Sequence, residues 1–106
     1  MPPPSPKTAK ALEKKSVLAS ENYPNPFNPE TNIHFNLRFA GRVTLKVFDI
    51  LGREIIKLLD EEKTTGAYSV LWNGKDESGF DVASGVYFYQ LCIGDQILHK
   101  KMLLMR

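Results

Sequence analysis

The chain holds one cysteine, Cys92, two histidines and one tryptophan in 106 residues. A single cysteine excludes an internal disulfide. With only two histidines beside it, little remains from which to build a metal centre or a nucleophile–base–acid triad. An excess of one charge sign is missing too: 14 basic and 12 acidic side chains leave +2. That balance argues against a general nucleic-acid binder, because phosphate contacts need clustered cations. No apolar run approaches the about 18 residues of a transmembrane helix. The opening MPPPSPKTAKALEKKS has no apolar core of the secretory-signal kind. The front end is therefore read as neither membrane-spanning nor self-targeting.

What is present is ordinary for a globular domain: 42% hydrophobic and 25% charged residues, in a length that suits one core. The small net charge is unevenly placed. Four lysines against one glutamate make residues 1–19 +3, while ten basic and eleven acidic side chains make residues 20–106 −1. Pro2, Pro3, Pro4 and Pro6 favour an extended, semi-rigid course. Residues 1–19 are read as a Pro/Lys-rich linker and 20–106 as the domain.

Asn22-Tyr23-Pro24-Asn25-Pro26-Phe27-Asn28-Pro29 packs three prolines into six residues. They fix φ, remove three N–H donors and extend the residues before them. The segment reads as a rigid, irregular entrance. Asn25 and Asn28 are expected to close turns on their own backbone, and Tyr23 and Phe27 to pin it to a core. Apolar residues then recur every second position: Ile33, Phe35 and Leu37; Val43, Leu45 and Val47; Tyr68, Val70 and Trp72. Each set reads as a half-buried strand. Asp49–Gly52 reads as a turn. Arg53–Leu59 fits strand or helix, with its shortness and the flanking glycine favouring strand, and Asp60–Thr65 reads as a polar loop. Val86–Ile93 is almost wholly apolar, as a strand covered on both faces would be. Tyr87 and Tyr89 share one face and Phe88 takes the other, which is either covered by the N-terminal segment or left as a binding surface. Gly94-Asp95 signals a hairpin into a last strand, Gln96–Arg106. Six or seven short strands with turn signals between them predict an all-β antiparallel sandwich, with Trp72 as its large core residue.

Chemistry-bearing side chains are few, and each has a plain structural reading. No Gly-x-Ser-x-Gly elbow or phosphate-binding glycine loop occurs. His34 and His99 are expected on strand surfaces, and Cys92 as a small buried hydrophobe. Asp76–Asp81 does not meet the calcium-loop pattern, so a tight turn with Asp76 as cap and Gly79 at positive φ is expected. No catalytic residue, metal or cofactor is assigned.

Six blocks in order closely resemble one family: Asn22–Thr31 (NYPNPFNPET), Asn32–Leu37, Lys46–Arg53 (KVFDILGR), Leu71–Gly79 (LWNGKDESG), Ala83–Leu91 (ASGVYFYQL) and Lys100–Arg106 (KKMLLMR). The family is the type A C-terminal sorting domain of proteins exported by the type IX secretion system. It is similar to the Ig-like domain of flagellar hook-capping protein. The resemblance implies an Ig-like β-sandwich of about seven strands, without enzymatic activity, behind an upstream cargo domain. It implies recognition by the type IX outer-membrane translocon, release by a sortase-like peptidase cutting within Ala11–Glu21, and attachment of the cargo to lipopolysaccharide. The location implied is the medium or the outer-membrane surface of a Gram-negative-type bacterium. Carried over, the recognition residues are Gly85, Val86, Tyr87, Lys100, Lys101, Met102, Leu104 and Arg106. Asn22, Tyr23, Pro24, Pro26, Phe27, Pro29, Trp72, Gly74 and Gly79 form the structural motif. Lys100, Lys101 and Arg106 equally suit edge-strand gatekeepers against aggregation. The alternatives are a structural assembly or adhesion module, as in hook-capping proteins, and a carbohydrate-binding accessory domain.

Overall fold

Alternating sequences become strands here because two sheets face each other and each buries one phase of the alternation. The structure, a computed structural model, describes residues 16–106. Its elements are β1 (Val17–Tyr23), β2 (Thr31–Leu37), β3 (Gly41–Asp49), β4 (Glu54–Lys63), β5 (Gly66–Trp72), β6 (Gly85–Ile93) and β7 (Gln96–Leu104). Sheet order is β1-β2-β5 in one layer and β4-β3-β6-β7 in the other, with every strand pair antiparallel. This is an Ig-like sandwich. Ile33, Phe35 and Leu37 from one sheet meet Val43, Leu45, Val47, Tyr89 and Leu91 from the other. Trp72 is fully buried, 5.3 Å from the Tyr87 ring and 5.5 Å from the Phe27 ring.

Three readings of the sequence are corrected. The first strand begins at Val17, inside the segment assigned to the linker. Val17 is buried in the core and its amide is held by Gln96 Oε1 at 2.9 Å, so burial and a cross-sheet hydrogen bond recruit it. The rest of that linker lies outside the described residues. Strand β4 runs on to Lys63, through residues read as loop, because Asp60–Lys63 pair with Gly41–Thr44. Finally, β6 is not covered equally on both faces. Tyr87, Tyr89, Leu91 and Ile93 are buried, whereas Val86, Phe88, Gln90 and Cys92 are only half-buried on the outer face. Cys92 is therefore not a core residue.

The register fixes two ends. Tyr23 pairs with Asn32, Thr31 with Trp72, Asp49 with Tyr87 and Gly85 with Leu104. Connections 24–30, 50–53 and 73–84 thus gather at the end where the chain terminates. Ser16 lies at the opposite end, where its amide is held by Gln96 Oε1 at 2.7 Å.

Candidate functional site

Strand β7 is the edge of its sheet, and edge strands leave backbone donors and acceptors unpaired. The proline-rich segment covers half of that edge. Phe27 N donates to Leu103 O at 3.0 Å, and Met105 N donates to Phe27 O at 2.9 Å. The Asn25 side chain continues the ladder: Leu103 N donates to its Oδ1 at 3.0 Å, and its Nδ2 donates to Lys101 O at 3.4 Å. Asn25 therefore serves the last strand rather than its own turn. Thr31, buried, donates to Pro24 O at 2.8 Å, and Asn22 donates to Thr31 Oγ1 at 3.2 Å. These bonds lock the segment's base. Phe27 alone pins it to the core; Tyr23 is 72% exposed because it falls on the outward phase of β1, with the exposed Ala19 and Glu21. Asn25, absent from the motif read in the sequence, is the residue that reading missed. An amide placed between two fixed prolines was its one local signal.

The carried-over recognition residues divide sharply. Met102 and Leu104 are fully buried and Tyr87 nearly so, with its hydroxyl donating to Ala83 O at 2.6 Å. Their side chains hold the sandwich together and are closed to a partner. Gly85 turns into β6 at φ 151° opposite Leu104, and Val86 pairs with Leu103. Lys100 and Lys101 are exposed. Seven of the ten lysines and arginines in residues 16–106 are ion-paired, and Arg38 lies over the Phe39 ring. Lys100 and Lys101 have no carboxylate partner among the described residues.

Arg106 behaves otherwise. Its Nε donates to Val82 O at 2.6 Å, Nη2 to Gly74 O, and its amide to Ser84 Oγ at 2.8 Å; Nη2 stands 3.5 Å from Asp81 Oδ1. The last residue is thus a clasp on the 73–84 connection. The Asp81 carboxyl is held below its ordinary value, first by the hydrogen bond from Lys75, then by the nearby charges of Arg106 and Lys75. In the same connection Asp76 Oδ1 accepts the amides of Ser78 and Phe80, both at 3.0 Å, and Gly79 sits at φ 85°. That is the tight turn expected from the sequence. Asp49 organises the β3–β4 turn alike, accepting the Leu51 and Arg53 amides at 2.9 Å and Arg53 Nε at 2.7 Å. Its carboxyl is lowered, chiefly by the Arg53 amide.

Outside this edge, Phe48 and Phe88 sit opposite each other on the outer face. With Asp49, Ile50, Gly52, Gln90 and His99 they line an open depression of about 310 Å³. Gln90 and His99 side chains are 3.0 Å apart across β6 and β7, and His34 is exposed on β2. No group of three or more His, Cys, Asp or Glu among the described residues is placed to hold a metal. No helix among them is long and apolar enough to cross a membrane.

Two tyrosines give the fold a pH limit. Burial raises the hydroxyls of Tyr87 and Tyr89; Asp49 adds to the first and Arg106 opposes it, while the Ser20 hydrogen bond opposes the second. A group raised on folding contributes stability that is fully present below its unfolded value, here 10.0, and is lost as pH rises through the native values. The urea midpoint is therefore expected to hold up to about pH 10 and fall beyond it. Replacing Tyr89 with phenylalanine should flatten that fall; an unchanged slope would locate the alkaline loss elsewhere.

Fold and edge define an Ig-like module whose C-terminal strand is buttressed by its own N-terminal motif. The chain matches the family described as the secretion system C-terminal sorting domain over residues 21–105, and belongs to it. Among solved structures it is similar to part of latent PorU from Porphyromonas gingivalis, a dimer, with TM-score 0.67 and 18% identity over 80% of this chain and 9% of PorU. It is also similar to part of PorZ from that organism, an essential bacterial surface component of its type IX secretion system. That match has TM-score 0.55 and 23% identity over 96% of this chain and 13% of PorZ. FlgD from P. aeruginosa follows, with TM-score 0.52 and 24% identity over 71% of this chain and 59% of FlgD. At such identities the likeness is one of fold. No curated protein sequence matches the chain.

Proposed function

We propose that this chain is the address of a larger exported protein. It is a non-catalytic C-terminal module that directs an upstream cargo domain through the type IX translocon to the cell surface or medium of a Gram-negative-type bacterium. The family match over residues 21–105 carries this reading. The arrangement of the fold supports it. The cargo side, at Ser16, and the chain terminus occupy opposite ends: β7 starts beside Ser16, at Gln96, and runs away from it, so its final residues are presented away from whatever precedes the domain. Recognition falls on Lys100 and Lys101, which are exposed. Gly85, Val86, Tyr87, Met102, Leu104 and Arg106 act by holding β7 in place. A sortase-like peptidase, followed by lipopolysaccharide attachment, would act before Val17, because Val17 and Ala19–Glu21 are paired with β2.

The test is export. Residues 1–106, fused behind a reporter with its own inner-membrane export signal in a host with a type IX system, should carry the reporter to the surface or medium. A folded fusion left in the periplasm overturns the reading and favours a structural assembly module of the hook-capping kind.

A further inference from the structure

We propose that β7 recognises its partner by strand addition, accepting an extended acidic segment along Ile97–Lys101. This rests on the sorting reading and names the chemistry of the recognition site within it.

The backbone points to this. Lys101 O, Leu103 N and O, and Met105 N all bond away from β6, to Asn25 and Phe27. Groups on one side of an antiparallel strand alternate by residue. The N–H and C=O of Ile97 and His99 and the N–H of Lys101 therefore face the same open edge. Among the described residues no backbone or side-chain group meets them. The covered and uncovered halves differ in kind: the first is closed by an asparagine side chain and a single strand-like residue, the second is left as a bare ladder. Donors and acceptors in this array are satisfied by one further extended segment, the mode of recognition that needs only a partner's main chain for affinity.

Charge selects the occupant. Lys100 and Lys101 project to opposite faces of the strand, and neither has an acidic partner among the described residues. A strand beside them gains from carboxylates at neighbouring positions on both faces. The chain's own leading residues are a poor fit, since residues 1–19 carry +3. A second copy of β7 would bring its own two lysines to the pair. The exposed Ile97, at 56%, adds an apolar contact at the start of the ladder.

The probe is a nine-residue valine-rich peptide with adjacent glutamates at its centre, one for each face of the strand, titrated against the full chain while amide exchange is followed by NMR. Saturable binding with new protection at the Ile97 and His99 amides is expected. It should weaken about tenfold for the same peptide with lysines in place of the glutamates, for the K100E/K101E chain, and on raising salt. Equal binding of both peptides, or protection elsewhere than β7, overturns the proposal. So does protection of Ile97 and His99 in the dilute chain alone, which assigns the edge to the N-terminal residues. Protection that grows with protein concentration assigns it to a second copy and also overturns it. The export assay separates this inference from the reading beneath it. Export that persists in K100E/K101E sinks strand addition and leaves sorting intact; failure of the unsubstituted fusion sinks sorting whatever the peptides do.

Discussion

Trp72→Ala is expected to remove about 3–5 kcal/mol of stability, a large share of the roughly 5–15 kcal/mol available to a domain. Trp72 is fully buried and is flanked by the Phe27 and Tyr87 rings at 5.5 and 5.3 Å. Truncation leaves a cavity at the point where the proline-rich segment, β5 and β6 converge, and none of the three can close it alone. The loss should therefore also free Phe27 and expose the covered half of β7. Trp72→Phe keeps most of the volume but gives up the 3.0 Å bond from Nε1 to Lys75 O. It should cost about 1–2 kcal/mol. Urea unfolding followed by circular dichroism reads both variants, since the chain has no other tryptophan to report. Equal losses would mean that the hydrogen bond, and not the packed volume, holds this junction.

Strands were legible in the sequence where one phase of the alternation is buried without interruption. Ile33-Phe35-Leu37 and Val43-Leu45-Val47 are such runs, and all six side chains are in the core. Ile55-Ile56-Lys57-Leu58-Leu59 was ambiguous for a physical reason. The β3–β4 register shifts twice, so that Ile55 and Leu58 are extra residues in the ladder. Each such bulge breaks the period of two and leaves a spacing that imitates a helix face. The turns at Asp49 and Asp76 were legible because their bonds are local. What was not legible spans the chain: Gln96 holding Ser16 and Val17, Asn25 completing β7, and Arg106 reaching Gly74 and Val82. Contacts between residues so far apart leave no periodicity in either segment. The residues proposed for recognition suffered the same fate. A motif such as KKMLLMR mixes exposed lysines, core residues and a clasp, and only burial separates them.

Gly74→Ala is expected to destabilise by about 2–4 kcal/mol, more than any other glycine replacement in the chain. Gly74 is buried at φ 73°, where an L side chain is already strained. A Cβ there would stand 2.7 Å from Arg106 Nη2 and 3.0 Å from Pro29 O. Gly52, Gly79 and Gly94 are at positive φ too, but a Cβ at those positions meets nothing within 4 Å. The two clashes at Gly74 can be told apart. Arg106 is the movable end of a flexible side chain, whereas Pro29 O belongs to the fixed proline-rich segment. If the arginine supplies much of the cost, Arg106→Ala should relieve part of it, and the double variant should lose less than the two single losses combined. Strict additivity in urea unfolding would put the whole cost on backbone strain and Pro29. The same cycle bears on export. Arg106 closes the 73–84 connection onto the chain terminus, so a truncated or substituted terminus that fails to export is expected to show loosened exchange at the Val82 amide, which donates to Gly74 O at 3.0 Å. A Lys100 or Lys101 variant that fails to export should leave that amide as protected as before. That contrast divides the last seven residues into those that hold the signal in shape and those that present it.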